Sequence, residues 1–229
     1  MADTIYRDDA VFIPGRGAVL IAPVGTEPPS ADELKQWIAA GAAGPIGEFV
    51  PLGYTSLDEL PGFDSDTEGG ETKGAWENPS LRTTQVKTTD SVNVTPIQWS
   101  KTPLTHRFGP GVLDAGKGHF HTPAVYTATE VAILIVIIDG AQGFGIMGWK
   151  GSSAPGDGIE FDAESFVGLP VKYTLLSQMV QPDDNGEGGG LRKLTIIGSW
   201  LMEEGDTGAG DGTGGTPSEP EDQGEVVGG

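Results

Sequence analysis

Three histidines and 33 carboxylates are the groups in this 229-residue chain that could hold a metal or move a proton. His119 and His121 stand one residue apart. Alternate residues of a strand point to one face, so the pair could present two imidazoles to a cation. His106 and Asp114 are the neighbours that could complete a set, but surface or interface histidines account for the pair as well, and no metal site is expected. Asp183 to Glu187 has the look of a calcium loop. Aligned on Gly186, however, its first ligand position is Gln181 and its last is Arg192, where Asp and Glu are required. The glycine-rich run 205–215 has neither a strand before it nor a helix after it, so it fits no phosphate or dinucleotide loop. No Gly-x-Ser-x-Gly elbow occurs. Carboxylates are plentiful, but none is paired specifically enough to serve as acid and base. The absence of cysteine excludes a thiol nucleophile, a disulfide framework and a cysteine-based zinc site. No catalysis and no cofactor are expected.

Charge narrows the partners. Thirteen Lys and Arg against 33 Asp and Glu give a net −20. Residues 203–229 hold eight of those acids and no base; removing them leaves 25 acids against 13 bases, or −12, on residues 1–202. Nucleic-acid affinity rests on Lys and Arg neutralising phosphates, so a body this acidic repels DNA instead of gripping it. No apolar run approaches the roughly 20 residues that a membrane helix needs. The start, MADTIYRDDAV, lacks the basic region and apolar core of a signal peptide.

The elements that must position any site are mainly strands. Val131 to Ile138 (VAILIVII), closed by Asp139-Gly140, is too short for a buried helix and consists mostly of β-branched residues, so it reads as a strand. Val131, Ile133, Ile135 and Ile137 point one way; Ala132, Leu134, Val136 and Ile138 point the other. With both faces apolar, both need cover: a helix, a second sheet or another subunit. Ser30 to Ala40 predicts the one clear helix. Ser30 and Glu33 form a capping box, Leu34, Trp37 and Ile38 make an apolar stripe, and Gly41 ends it. Val11 to Val24 reads as a broken strand whose prolines, Pro14 and Pro23, favour an edge or bulged position. Residues 1–10 read as an extended arm, with subunit joining and simple fraying both open.

Further strands are expected at Glu48–Thr55, within Ser80–Ser100, at His119–Val125, at Phe144–Trp149, within Val167–Val180 and at Leu191–Met202, the last two joined through an Asn185-Gly186 hairpin turn. Thr102 to Phe108 predicts one helical turn with Pro103 at its first position. Leu57 to Pro79 is dense in acids (Asp58, Glu59, Asp64, Asp66, Glu68, Glu71), carries one base, Lys73, and holds Phe63 and Trp76 among turn residues. A polar connection of this length with aromatics in it suggests a loop that orders against a partner. Phe63, Asp64, Trp76 and Glu77 are its candidate contacts. From Glu203 onward, glycines and acids replace apolar residues, as in a flexible tail. The domain plan is therefore an arm (1–10), a β domain (11–202) containing the 57–79 loop, and a tail (203–229).

In the order GAVLIAPVGTEPP, FVPLGYTS, GFDSDTEGGETKGAW, VNVTPIQW, VAILIVIIDG and LPVKYTLLSQ, the chain over about residues 10–202 resembles the major tail (tail-tube) proteins of long-tailed bacteriophages, notably those of actinobacterial hosts. The resemblance implies a β-sandwich or partial barrel with one flanking helix. It also implies six copies closed into a ring, rings stacked into a tube, and a long hairpin loop, here about 57–79, reaching the adjacent ring. It implies as partners further copies of the chain, the tape measure, tail terminator and distal tail proteins, and DNA as non-specific cargo in an acidic lumen. It places the protein in the virion tail, after synthesis in the bacterial cytoplasm. The 30–40 helix and the 203–229 tail depart from the family pattern, and the extra C-terminal immunoglobulin-like domain that many members carry is not read here. The alternative from the residues is another β-sandwich virion or surface module that binds a ligand or carbohydrate as an adhesin does.

Overall fold

The computed structural model describes residues 10–84, 86–181 and 189–201. The expected tail (203–229), nearly all of the expected N-terminal arm and the Asn185-Gly186 turn lie outside them. The chain opens with β1 (Arg16–Ala22), α1 (Ala31–Ala39) and β2 (Val50–Pro51), then runs through β3 (Gly62–Glu68), β4 (Thr72–Ala75), β5 (Asn78–Thr83) and β6 (Lys87–Val94). There follow α2 (Lys101–Phe108), β7 (Val112–Asp114), β8 (His119–His121), β9 (Glu130–Asp139) and β10 (Gln142–Pro155), and last β11 (Val171–Leu176), β12 (Gln178–Val180), β13 (Gly190–Arg192) and β14 (Leu194–Ile197). The fold is mainly β. Eight strands form one antiparallel sheet in the order β2-β1-β9-β10-β11-β6-β3, with β14 paired to β10, and three two-stranded ribbons stand beside it.

The apolar run is β9, and it lies in the middle of the sheet between β1 and β10. Gly140, at a φ of +60°, starts a two-residue loop that returns the chain into β10 with Gln142 opposite Asp139. One face of β9 (Ala132, Leu134, Val136, Ile138) is sealed by Leu34, Trp37 and Ile38 of α1 with Ile46, Phe49, Met147 and Trp149. The other (Val131, Ile133, Ile135) meets Val92 and Val94 of β6 and Val171, Tyr173 and Leu175 of β11. Strands from distant positions in the sheet thus share one core, which requires the sheet to curl. A seam of single bonds supports the curl: the Leu52 amide donates to Val19 C=O, the Ile97 amide to Tyr54 C=O and the Ser56 amide to Thr95 C=O. Of the expected β-sandwich or partial barrel, the second describes this arrangement. A single sheet covers its own strand by bending, without closing into a barrel among the described residues. Ile137, at the far end of β9, is only half-buried.

Helix α1 follows its sequence closely. Ser30 Oγ accepts from the Glu33 amide, while the Glu33 carboxylate accepts from both the Ser30 amide and hydroxyl. Those donors hold the carboxylate below its ordinary pKa. The C-terminus ends in a Schellman motif, the Gly41 amide donating to Ile38 C=O and the Ala42 amide to Trp37 C=O, with Gly41 at φ +102°. Burying Leu34, Trp37 and Ile38 contributes about 2 kcal/mol each, enough to hold a helix too short to stand alone. The edge or bulged position expected of β1 is met in part, since its outer side pairs only at Leu20 and Ile21. Pro14 and Pro23 fall outside the strand, so β1 pairs on both sides, with β9 along its whole length and with the two-residue β2, where Pro51 occupies the sheet end.

A second helix corrects the expectation of a single turn and of one flanking helix. α2 starts at Lys101 and makes two turns, with Pro103 inside its first turn, where a missing N–H costs nothing. Its buried face is polar. Tyr173 OH and His106 Nδ1 share a hydrogen bond of 2.9 Å. The Tyr126 hydroxyl donates to His106 C=O and lies 3.0 Å from Ser153 Oγ, which accepts from the Thr129 amide. Arg107 donates to the carbonyls of Gly156, Pro170 and Asp157 at 2.8–3.0 Å. The guanidinium thereby ties the end of β10 to the start of β11, and each buried polar group has a partner.

Two outcomes follow from this packing. Ile135 is buried, so Ile135→Asp places an unpaired carboxylate in the second core, a cost of several kcal/mol against a typical total of about 5–15. Circular-dichroism melts of that variant should show no cooperative transition. Burial lowers the His106 pKa to about 4. The unfolded imidazole, near 6.5, takes up its proton first as pH falls, so this contribution to stability is complete above about 6.5 and is lost towards 4, by about 1.4 kcal/mol per pH unit. Melting temperature should fall more steeply between pH 6.5 and 4.5 in the parent than in His106→Gln; equal slopes would mean that the imidazole is not held neutral.

Candidate functional site

The chain's most exposed ordered structure is the segment expected to be a loop. Strands β3, β4, β5 and β6 make a long two-stranded arm. Its root pairs β3 with β6 in unbroken register from Gly62 opposite Asn93 to Glu68 opposite Lys87. Beyond Gly69 and Gly70, both at positive φ, the ribbon continues as β4 against β5, from Thr72 opposite Thr83 to Ala75 opposite Asn78. Trp76 and Glu77 form the tip. At 3.3 Å per residue, the ribbon from Phe63 to Trp76 extends about 40 Å.

Every residue of β3 is exposed, and beyond Phe63 its side chains are polar on both faces. Cross-strand pairs therefore set its register. Ser65 Oγ donates to Asp90 at 2.6 Å, Asn93 Nδ2 donates to Asp64 at 2.9 Å, and Lys193 Nζ reaches Asp90 from β14's side at 2.6 Å. The Lys193 ammonium, then the Ser65 hydroxyl, hold the Asp90 carboxyl below its ordinary pKa. These bonds clamp the root of the arm to the body.

The four candidate contacts are thus separated. Phe63 sits at the root, 41% exposed, opposite the buried Val92. Asp64 is engaged by Asn93 within the same ribbon. Trp76, 98% exposed, and Glu77 stand together at the tip. Of the core-strand candidates, Val131, Ile133 and Ile135 are buried and belong to one cluster, while Ile137 lines an apolar cavity of about 450 Å³. That cavity opens between the ends of β1 and β9 and the stretch before the arm, where Leu57 and Leu60 stand exposed with Phe63. Beside it, across residues 56–60, lies a recess of about 350 Å³ rimmed by Asp58, Glu59, Asp157, Glu160 and Asp162. Sequence reasoning passed over Leu57 and Leu60 because it merged them into the acidic run; their signal was two leucines in a segment with no strand or helix to bury them.

The chemical candidates stay apart from this surface. His119 and His121 lie on the small β7–β8 ribbon, edge to face with centroids 5.7 Å apart, and both are exposed. Asp114 pairs opposite His119 but bonds Lys117 at 3.3 Å, and no group of three metal-ligating side chains occurs among the described residues. His106 is buried at the α2 junction, far from forming a set with them.

Comparison with known proteins accounts for a β body that carries a clamped, exposed arm and no assembled chemistry. A model of the phage tail tube protein family matches residues 6–184, a span from before β1 to beyond β12. Major tail protein Gp23 of Mycobacterium phage D29 is 30% identical over 185 residues, covering 74% of this chain and 86% of that protein. Gp23 of Mycobacterium phage L5 is 29% identical over the same length, with the same coverage. The chain belongs to the phage tail tube protein family and is a structural component of the phage tail, not an enzyme.

Proposed function

We propose that copies of this chain close into six-membered rings, that the rings stack into the tube of the tail, and that the viral DNA passes through the lumen. The observation that carries the proposal is the arm, an ordered β-ribbon about 40 Å long whose tip tryptophan is 98% exposed. A lone monomer gains nothing from holding an indole in water at the end of an ordered ribbon, whereas an aromatic anchor of this kind is what a protein–protein contact uses. The arm spans the distance to a neighbouring ring.

The net −12 of residues 1–202 suits a conduit. A wall dense in carboxylates repels phosphate along its whole length, so DNA meets no local trap as it slides. Sheet edges left open by the single curled sheet are a liability in a monomer and an asset in a ring, where neighbouring copies cover them. The tape measure protein within the lumen, and terminator and distal tail proteins at the two ends, are the remaining partners of this reading. Synthesis in the bacterial cytoplasm precedes incorporation into the virion.

Negative-stain micrographs of the purified protein at rising concentration should show rings and then stacked tubes. Replacement of residues 71–83 by two glycines removes the β4–β5 ribbon and leaves the clamped root. That chain should keep the parent's melting temperature within a few degrees and form no tubes. Tubes of ordinary length from the shortened chain would remove the arm from the proposal, and a parent chain that stays monomeric at every concentration would remove the proposal itself.

A further inference from the structure

Resting on that reading, we infer that the arm docks by inserting Trp76 into the apolar cavity of a second copy while Lys73 and Arg82 sit over the acidic recess beside it. Three observations on different parts of the molecule carry this. The first is the cavity, about 450 Å³, bounded by Leu57, Leu60, Phe63, Ile137 and Ile146, with Leu57 75% exposed at its mouth. Its volume lies within the usual range of small-ligand sites, so it accepts an indole.

The second is an electrostatic oddity of the arm. Lys73 and Arg82 are directly opposite each other in the β4–β5 register. Like charges so placed destabilise a ribbon, and one exposed partner, Glu71 at 3.4 Å from Lys73, offsets only part of that. In a chain of net −20, two cations held side by side near the tip call for an acidic surface.

The third is the recess on the other side of residues 56–60, whose lining among the described residues carries Asp58, Glu59, Asp157, Glu160 and Asp162 and no Lys or Arg, with Arg107 bonded to the Asp157 carbonyl. Ser56 lines both depressions, so apolar and acidic surfaces lie side by side. On the arm, Lys73 precedes Trp76 by three residues, a span of about 10 Å. An apolar plug and a cationic pair therefore have an apolar socket and an acidic rim, lying side by side, to meet.

The occupant is a second copy rather than the chain's own arm. Phe63 lines the cavity and also begins the ribbon, and the unbroken β3–β6 register carries the arm about 17 Å away before it can turn. Plug and socket are different surfaces, so the contact is heterologous. Such a contact leaves a free plug at one end and a free socket at the other, so it closes into a ring where the rotation between copies closes and propagates an open stack where it does not. On the tube reading it is the open case, a contact between rings.

The chain has no cysteine, which makes the test direct. Glu77→Cys in one chain and Ser56→Cys in a second, affinity-tagged chain are mixed and assembled, so that Trp76 and the leucines of the cavity stay in place on both sides of the contact. A short bifunctional maleimide should then yield a covalent heterodimer, whereas pairing Glu77→Cys with Val112→Cys, on the exposed β7–β8 ribbon, should not. Tubes that form without the first product would overturn the socket and leave the tube reading standing; an absence of particles from the parent chain would overturn both. In parallel, Arg82→Glu should raise the concentration at which tubes appear several-fold, and Glu59→Lys in the same chain should restore it. Unchanged assembly of Arg82→Glu would remove the charged half of the contact.

Discussion

The structure depends on covering β9 on both faces. A strand with polar residues on alternate positions could end its sheet at the solvent; one with Ile, Val and Leu on every position cannot. α1 seals one face with three side chains, and no comparable helix is at hand for the other. The sheet responds by bending until β6 and β11 lie across from β9 and β1. The same strand, β6, that closes this core with Val92 and Val94 also pairs with β3, so the root of the arm is continuous with the core. The polar junction of α2 serves the same end. Arg107, spread across three carbonyls, pins the chain where β10 gives way to β11, the corner around which the sheet turns.

What could be read from the sequence was what local rules decide. The capping box of Ser30 and Glu33, the stripe of Leu34, Trp37 and Ile38 and the stop at Gly41 are all short-range features, and each appears as expected. The same holds for β9 and its Asp139-Gly140 turn, where burial and β-propensity agree. The family and its structural role were legible through the order of segments, although none of those segments is a chemical motif.

The arm and α2 were misread for physical reasons. In β3, GFDSDTE, both faces are polar, so no period of two marks it as a strand. It is a strand because β6 offers it a partner, and the pairs that fix it, Ser65 with Asp90 and Asp64 with Asn93, link residues 25 and 29 positions apart. α2 hides for a related reason. Its buried residues are Pro103, His106 and Arg107, which hydropathy assigns to the surface, and the carbonyls that satisfy Arg107 lie 49 to 63 residues away. Burial of a polar side chain is set by its partners, and those partners are visible only once the fold exists.

The same distinction bears on how a subunit of this kind can be stable alone and still assemble. Its folding information is concentrated in β9, α1 and the α2 corner, all buried within one copy. The candidate assembly surfaces, the tip at Trp76 and the mouth at Leu57 and Leu60, make almost no contribution to that core. Folding and assembly then draw on separate residues, so the monomer need not be strained to present its contacts. Gly69 and Gly70, with positive φ at the join between clamped root and free tip, let the outer ribbon change direction without disturbing the root. In the proposed tube, the stiff core and the part of the arm that would contact a neighbour meet at this join, the place in the arm where glycine adopts the backbone turn at least cost.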